Sequence, residues 1–405
     1  MAVRGNLVVG QSGGPTAVIN NSLVGVIHEA MAHAEIDDIF GMVHGIRGVL
    51  NAEFMDLRKE SPQTLELLRN TPASALGTVR YKVTEEDYPR LIEVFKRFNV
   101  RYFFYIGGND SMDTSHKIHL AAEKLGYEMY AIGVPKTIDN DLAETDHCPG
   151  YGSAARFVAA GLRNTGLDTW SMGDSGPIKL VEVMGRNAGW LAAATALARE
   201  REGDPPHLIY VPERGVTLEQ IVADVQNCYE KYGFCVAAVS EGLTGPDGEE
   251  LARSNGKPVE VDAFGHARKS GVVDVIADAI KEHLGFTARF DKPGYMQRSF
   301  AELMSPVDRE EAYEVGRAAV RAALAGVSNK MVTLVREPGD EYRCTTGLAP
   351  LEKVANREHM LPSDMIAPSG NDVTEEFIKY ARPLIGGPLV SYGRLERHLV
   401  SERVH

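Results

Sequence analysis

The sequence predicts an α/β protein built on largely parallel sheets. Three features of the chain carry that expectation. Short apolar runs are twice followed by a glycine pair and then by a helical segment, at Asn6–Gly10 and again at Arg101–Ile106. The run Phe234-Cys-Val-Ala-Ala-Val239 is almost continuously apolar, as a strand covered on both faces must be. The stretch Ala131 to Asp141 begins as an apolar strand and then turns polar at once. It sets Lys136, Thr137, Asp139 and Asp141 at what should be the carboxyl end of that strand. Open parallel sheets bind their ligands at that end. Two carboxylates there supply the parts for a general base and a group that holds a metal or orients the base.

The totals are those of an ordinary soluble protein. The chain has 405 residues, 44% hydrophobic and 24% charged, and its length suggests two or three domains. A formal net charge of −13 argues against a general nucleic-acid surface, so a phosphate site must be a local basic cluster in an acidic protein. Cys148, Cys228, Cys235 and Cys344 form no CxxC pair and read as reduced thiols of a cytoplasmic protein. No apolar run approaches the roughly 18 residues of a membrane span, and no signal peptide precedes the first strand.

Taken in order, Asn6–Gly10 reads as a strand, Gln11–Thr16 as a turn, and about 17–32 as a helix. Gly13 and Gly14 allow backbone N–H groups to approach an anion, and the helix start adds partial positive charge. The pattern is neither a P-loop nor a dinucleotide fingerprint. Residues 39–43 suggest a strand, and Ser74–Arg80 a small-residue turn ending in a cation. The strand at 101–106 stops at Gly107-Gly-Asn-Asp-Ser111, where a helix starts. Two glycine turns followed by the 131–141 stretch suggest three loops converging at one sheet edge.

Beyond these lie a helix from Gly150 to about Trp170 and strands at 178–183, 206–211, 234–239 and 330–336. Helices are expected at 218–232, 272–284 and 309–325. Leu243–Gly265 reads as a polar surface excursion and Arg289–Arg298 as a loop. After about residue 340 the pattern loosens and prolines interrupt it, which suggests a packed C-terminal extension. Each site motif also has a plainer reading on its own. Asp139 and Asp141 suit a capping turn, Arg80 a solvated surface, Met184 ordinary packing, and Glu241 a loop brace.

With these loops in view the chain resembles the phosphofructokinase family. The motifs stand in family order: Ser12-Gly-Gly14, Gly77 to Arg80, Gly107-Gly-Asn-Asp110, Pro135-Lys-Thr-Ile-Asp-Asn-Asp141, Met184-Gly-Arg186, Glu241-Gly242 and Tyr295-Met-Gln-Arg298. Within the family it is most similar to the pyrophosphate-dependent branch. The resemblance implies two three-layer α/β domains with the active cleft between them. Residues 1–150 with about 297–355 would hold the phosphoryl donor. About 151–296 with part of 356–405 would hold fructose 6-phosphate and carry the C-terminal extension.

The implied reaction is reversible transfer of a phosphoryl group from pyrophosphate to the 1-hydroxyl of fructose 6-phosphate, with Mg²⁺ as cofactor. Asp139 matches the catalytic base and Asp141 its supporting carboxylate, within the sugar-contacting run Thr137, Ile138 and Asp139. Met184, Gly185, Arg186, Glu241, Tyr295 and Arg298 match sugar-phosphate positions, and Arg186 is also counted as catalytic. Gly13, Gly14, Arg80, Gly108 and Lys136 match the donor side. ATP users carry glycine where this chain has Asp110 and Lys136. The aspartate is expected to exclude ATP, and the lysine to stabilise the transferring and leaving phosphates.

Three positions depart from the commoner pattern. Asn109 stands where the family usually has a Mg²⁺-linked aspartate, so the metal set is expected at Asn109 and Asp110. Pro177 replaces an arginine that reaches a neighbouring subunit, with Lys179 close by. Tyr295 replaces a histidine of ATP users. Arg289 fits a second cross-subunit arginine, which implies a homodimer or homotetramer. Two alternatives stay open: an ATP-dependent enzyme of the same family, and a non-catalytic sugar-phosphate-binding subunit.

Overall fold

A computed structural model describes residues 3–252 and 271–400, with 397 and 399 excepted, and its strands fall into two sheets. The larger sheet collects β1 (Gly5–Gln11), β2 (Ile36–Met42), β3 (Phe54–Asp56), β4 (Val100–Gly107) and β5 (Tyr130–Pro135). The smaller sheet is built from β6 (Ile178–Val183), β7 (Leu208–Tyr210), β8 (Cys235–Ser240) and β9 (Arg289–Asp291). The chain then returns to the first sheet with β10 (Lys330–Arg336) and β11 (Cys344–Pro350). The strand orders are β11-β10-β5-β4-β1-β2-β3 and β7-β8-β6-β9. All pairings are parallel except β2 with β3 and β10 with β11, which lie at the two edges of the larger sheet.

Each sheet is covered on both faces, and the alternation of side chains along a strand explains how. Leu7, Val9, Tyr102 and Phe104 pack on the helices Ile19–Met31 and Pro306–Leu324. Their neighbours Val8, Phe103 and Tyr105 pack on the opposite side, with the helix Asp87–Arg97. In the smaller sheet Val236 and Ala238 face the core around the helix Tyr151–Met172. Cys235, Ala237 and Val239 face the helices Leu218–Tyr232 and Val272–Leu284. The expected three-layer α/β architecture is therefore present twice.

The return of the chain depends on a close helix crossing. A side chain on Gly25 would come within 2.1 Å of the Tyr313 carbonyl oxygen, and one on Gly316 within 2.1 Å of that of Ser22. Two glycines let the helices meet backbone to backbone, which draws Pro306–Leu324 onto the first sheet.

Several expectations need correction. The stretch Arg289–Arg298 is not simply a loop: Arg289–Asp291 extends the smaller sheet and Met296–Ser299 forms a helical turn. Cys344–Pro350 is a strand rather than loosened chain, paired along its whole length with β10. Its glycine and proline hide the strand signal that cross-strand pairing restores. Helices at 46–51, 62–68 and 87–97 add to the expected elements; Ser61 caps the second, and Tyr88, Leu91, Ile92 and Phe95 give the third a buried stripe at helical spacing. In the polar excursion, Thr244 bridges Glu250 and Leu243 is buried; the part beyond residue 252 lies outside the described residues. Among the described residues, no helix is long and apolar enough to cross a membrane, and all four cysteines are free thiols.

Candidate active site

The site begins with strand order. β5, β4 and β1 are adjacent and parallel, and Gln11 lies opposite Ile106 while Gly107 lies opposite Pro135. Their carboxyl ends therefore emerge side by side, and the three polar loops meet as the sequence suggests. Lys136 is almost fully buried among them, and its Nζ donates to the Gly14 carbonyl oxygen at 2.7 Å. Gly13 has φ 73°, which a glycine adopts freely, and a side chain there would come within 3.3 Å of that Nζ. Thr78 donates to the Gly13 carbonyl oxygen at 2.9 Å, bringing the Gly77–Arg80 turn alongside. Arg80 itself is exposed. Gly108 and Asp110 flank the start of the helix Asn109–Lys124, where Asp110 is the acidic residue of the first turn.

Burial, reinforced by the nearby Arg298, pushes the Lys136 ammonium down to about 8. On the same loop burial pushes the Asp139 carboxyl up, against the pull of Arg186, Lys136 and Arg298. Burial, Asp139 and Glu358 together push Asp141 up to about 7. The residue between the two aspartates, Asn140, is buried with φ 57°, a left-handed backbone that asparagine adopts more readily than most. Thr137 accepts from the Asp139 amide at 3.1 Å. Ile138 is only 6% exposed and belongs to the same apolar core as Tyr151 and Trp190, so its side chain anchors the loop.

The second sheet supplies the facing wall. Met184-Gly185-Arg186 follows β6 and Glu241 follows β8, the strand beside it. Ser240 donates to the Gly185 carbonyl oxygen at 2.9 Å, and Glu241 accepts from the Gly185 amide at 3.3 Å. Burial and the Asp139 charge push Glu241 up to about 7. Arg186 acts on the charges of both Asp139 and Glu241. Arg298 stacks on Tyr295 at 4.2 Å, and its guanidinium reaches the donor turn, within 2.5 Å of where a side chain on Gly14 would begin. Arg298 thus leans across to the Gly13–Gly14 turn of the first sheet.

Not every expected residue joins this group. Arg289 pairs with Lys179 at the start of β6, while Met184 follows that strand's other end. It is exposed and donates to the Ser175 carbonyl oxygen. Lys179 is buried against Asp291 at 2.8 Å, so it braces β6 to β9. Asn109 is bonded through both ends of its side-chain amide. Its amide oxygen accepts from the Asn356 amide at 2.6 Å, and its amide nitrogen donates to the Arg357 carbonyl oxygen. The side chain ties down a C-terminal segment, and Asp110 is left as the carboxylate of that turn.

Sequence reasoning missed three contributors. Gln297 is buried and accepts from the Met184 amide at 3.0 Å, locking the 295–298 turn to the sugar wall. Glu358 enters beside Asp139 and Asp141 on a segment bridged to Leu142, and it accepts from Asn187 at 2.7 Å. Tyr380 bonds Asn140 at 2.8 Å. Gln297 sits inside a quoted motif; Glu358 and Tyr380 had no local signal. Carboxylates at 110, 139 and 141 are oxygen donors of the kind a hard divalent cation takes. Among the described residues, the tight groups of three ligating side chains lie elsewhere, so these carboxylates suit an ion shared with substrate phosphates and water rather than a closed cage.

Carboxylates and cations so arranged between two glycine turns and a second sheet suit transfer of a phosphoryl group to a hydroxyl. The family profile described as Phosphofructokinase matches residues 6–323. The chain belongs to the phosphofructokinase family. It is 41% identical over 403 residues to a pyrophosphate–fructose 6-phosphate 1-phosphotransferase of Rhodospirillum rubrum, covering 98% of each chain. A protein of the same description from Halomonas elongata is 42% identical, again with 98% of each chain covered. Among solved structures, a pyrophosphate-dependent phosphofructokinase from Nitrosospira multiformis superposes with a TM-score of 0.86 at 39% identity. That match covers 97% of this chain and 94% of the other.

Proposed function

We propose that this chain transfers a phosphoryl group from pyrophosphate to the 1-hydroxyl of fructose 6-phosphate, giving fructose 1,6-bisphosphate and phosphate, and catalyses the reverse. The observation that carries this reading is Lys136, buried and bonded to Gly14 within the donor turn, on the same short loop as Asp139. It places a donor-side cation and a base a few residues apart. The descriptions borne by the relatives from Rhodospirillum and Halomonas support it.

In the forward direction Asp139 takes the proton of the 1-hydroxyl as the oxygen forms its bond to phosphorus. The bond from that phosphorus to the bridging oxygen breaks, and inorganic phosphate leaves. Lys136 neutralises charge on the transferring and leaving phosphates, and Arg298 adds to it from the sugar side. Asp141 holds the charge balance at Asp139. Arg186, Glu241, Met184, Gly185 and Tyr295 receive the sugar phosphate, with Arg186 also countering charge at Asp139. Gly13, Gly14, Gly108 and Arg80 border the pyrophosphate. Asp110 would hold a divalent metal, Mg²⁺ in this reading, which when bound would supply further neutralisation of the donor phosphates.

Asp110 also excludes ATP, by occupying space and placing negative charge where a nucleotide would continue. Arg289, exposed on the outer strand β9, serves the sugar site of a neighbouring copy in a homodimer or homotetramer. The strand assignments support dividing the chain into a donor part, 1–150 with about 297–355, and a sugar part. The reduced thiols fit work in the cytoplasm. The deciding assay measures fructose 1,6-bisphosphate with pyrophosphate and ATP supplied in parallel. Turnover with pyrophosphate alone is expected; turnover with ATP alone overturns the roles of Asp110 and Lys136. Asp110→Gly with Lys136→Gly is expected to gain ATP use.

A further inference from the structure

The C-terminal segment that follows β11 reaches the reaction loop. Asn140 has its side chain fully engaged there. Its amide oxygen accepts from the Cys148 amide at 2.9 Å, and its amide nitrogen donates to the Tyr380 hydroxyl at 2.8 Å. The same hydroxyl donates to the Asp146 carbonyl oxygen at 2.9 Å. Tyr380 is thus a two-way pin between the two ends of the 140–146 loop. Farther up the segment the His359 amide donates to the Asp141 carbonyl oxygen at 2.7 Å.

These bonds bear on a strained point. Asn140 carries φ 57°, a region that side-chain-bearing residues enter at a penalty, and asparagine does so more readily than most. It is the hinge between Asp139 and Asp141. A change in its backbone would re-aim both carboxylates at once. We propose that Tyr380, on the helix Glu375–Ala381, is a positioning residue for the reaction: its hydroxyl fixes Asn140 in the left-handed conformation that sets the direction of Asp139 and Asp141. This rests on Asp139 being the base.

Tyr380→Phe removes only the hydroxyl. The ring keeps its packing on Trp190 and Phe377, at centroid distances of 5.2 Å and 6.4 Å. The expected result is a fall in kcat of about tenfold, the size of one lost hydrogen bond felt at the transition state, with both KM values within about twofold. In an Asn140→Ala background the same substitution should have little further effect on kcat, because the bond to Asn140 is already gone and the one that remains, to the Asp146 carbonyl oxygen, does not touch the hinge. Phe377→Leu loosens the same helix by packing alone and should lower the melting temperature while keeping kcat.

An unchanged kcat in Tyr380→Phe overturns the proposal, whether or not the protein melts earlier. So does a loss confined to KM, or a loss that adds fully to that of Asn140→Ala. Asp139→Asn separates this inference from the reading beneath it. If Asp139→Asn retains activity, the base assignment fails; if it is inactive while Tyr380→Phe is normal, only the role of Tyr380 fails.

Discussion

Two buried clusters of charge are centred on one stretch of chain, Lys136 to His147, and they are built on opposite terms. In the first, Lys136, Asp139, Asp141 and Glu241 are all pushed toward their neutral forms, chiefly by burial. In the second, burial would also neutralise His147, but Asp146 at 2.8 Å and Glu311 at 2.7 Å more than reverse it, and the imidazolium is held to about 9. Burial raises Asp146 less than His147 and Arg336 lower it, and its carboxyl ends below the usual value. The second cluster has its counter-charges in the protein. The first leaves part of its charge balance to what enters the cleft. Partly compensated buried charge destabilises a fold and suits a site that must bind phosphates and accept a proton. Fully paired charge fixes the loop that carries such a site.

The largest expected effect that tests this contrast is Asp139→Asn, which should lower kcat by about a thousandfold with little loss of stability. A steady-state assay beside a denaturation curve checks both. Should stability fall as steeply as activity, the two clusters would not differ in kind. Next, His147→Leu leaves Glu311 without its cation and Asp146 with Arg336 alone, and should reduce unfolding free energy by about 3 kcal/mol, read by urea titration. Its kcat per folded molecule should fall far less than that of Asp139→Asn.

Lys136→Met should lower turnover with pyrophosphate by about a hundredfold, since it removes one charge opposite the transferring group. Its melting temperature should hold or rise, because a buried cation is replaced by an apolar chain of similar length. The smallest effects are those of pH, about tenfold per unit outside the plateau. For the free enzyme, kcat/KM should rise with pH as Asp139 ionises, on a limb lying above the ordinary aspartate value of 3.8. It should fall as pH passes about 8, where Lys136 loses its proton. Stability behaves differently. The share from His147 is complete below its ordinary value of 6.5 and is lost as pH rises through about 9. The share from Asp146 is present above 3.8 and is lost at more acid pH. Activity and stability should thus respond to different residues along one titration.

Much of this was legible in the chain itself because it is local. A strand, a glycine pair and a helix start are contiguous in sequence, and so is the run from Lys136 to Asp141. Apolar periodicity located most of the central strands for the same reason. Asn109 shows where that reading stops. The family resemblance put it with Asp110 at the metal, and only the structure shows its amide bonded to the backbone of Asn356 and Arg357, far along the chain.

By itself the sequence determined the parallel α/β plan, the loops that meet at one sheet edge, and the chemistry they carry. Only the tertiary structure decided which strands border one another and that β11 joins the first sheet. It alone brought Glu358, Gln297 and Tyr380 to loops distant from them in sequence. The physical reason is the same in each case. Local pattern sets how a segment folds and which face it must bury. The partner that buries that face, bonds an amide or shifts a carboxyl comes from elsewhere in the chain, and no neighbouring residue encodes it.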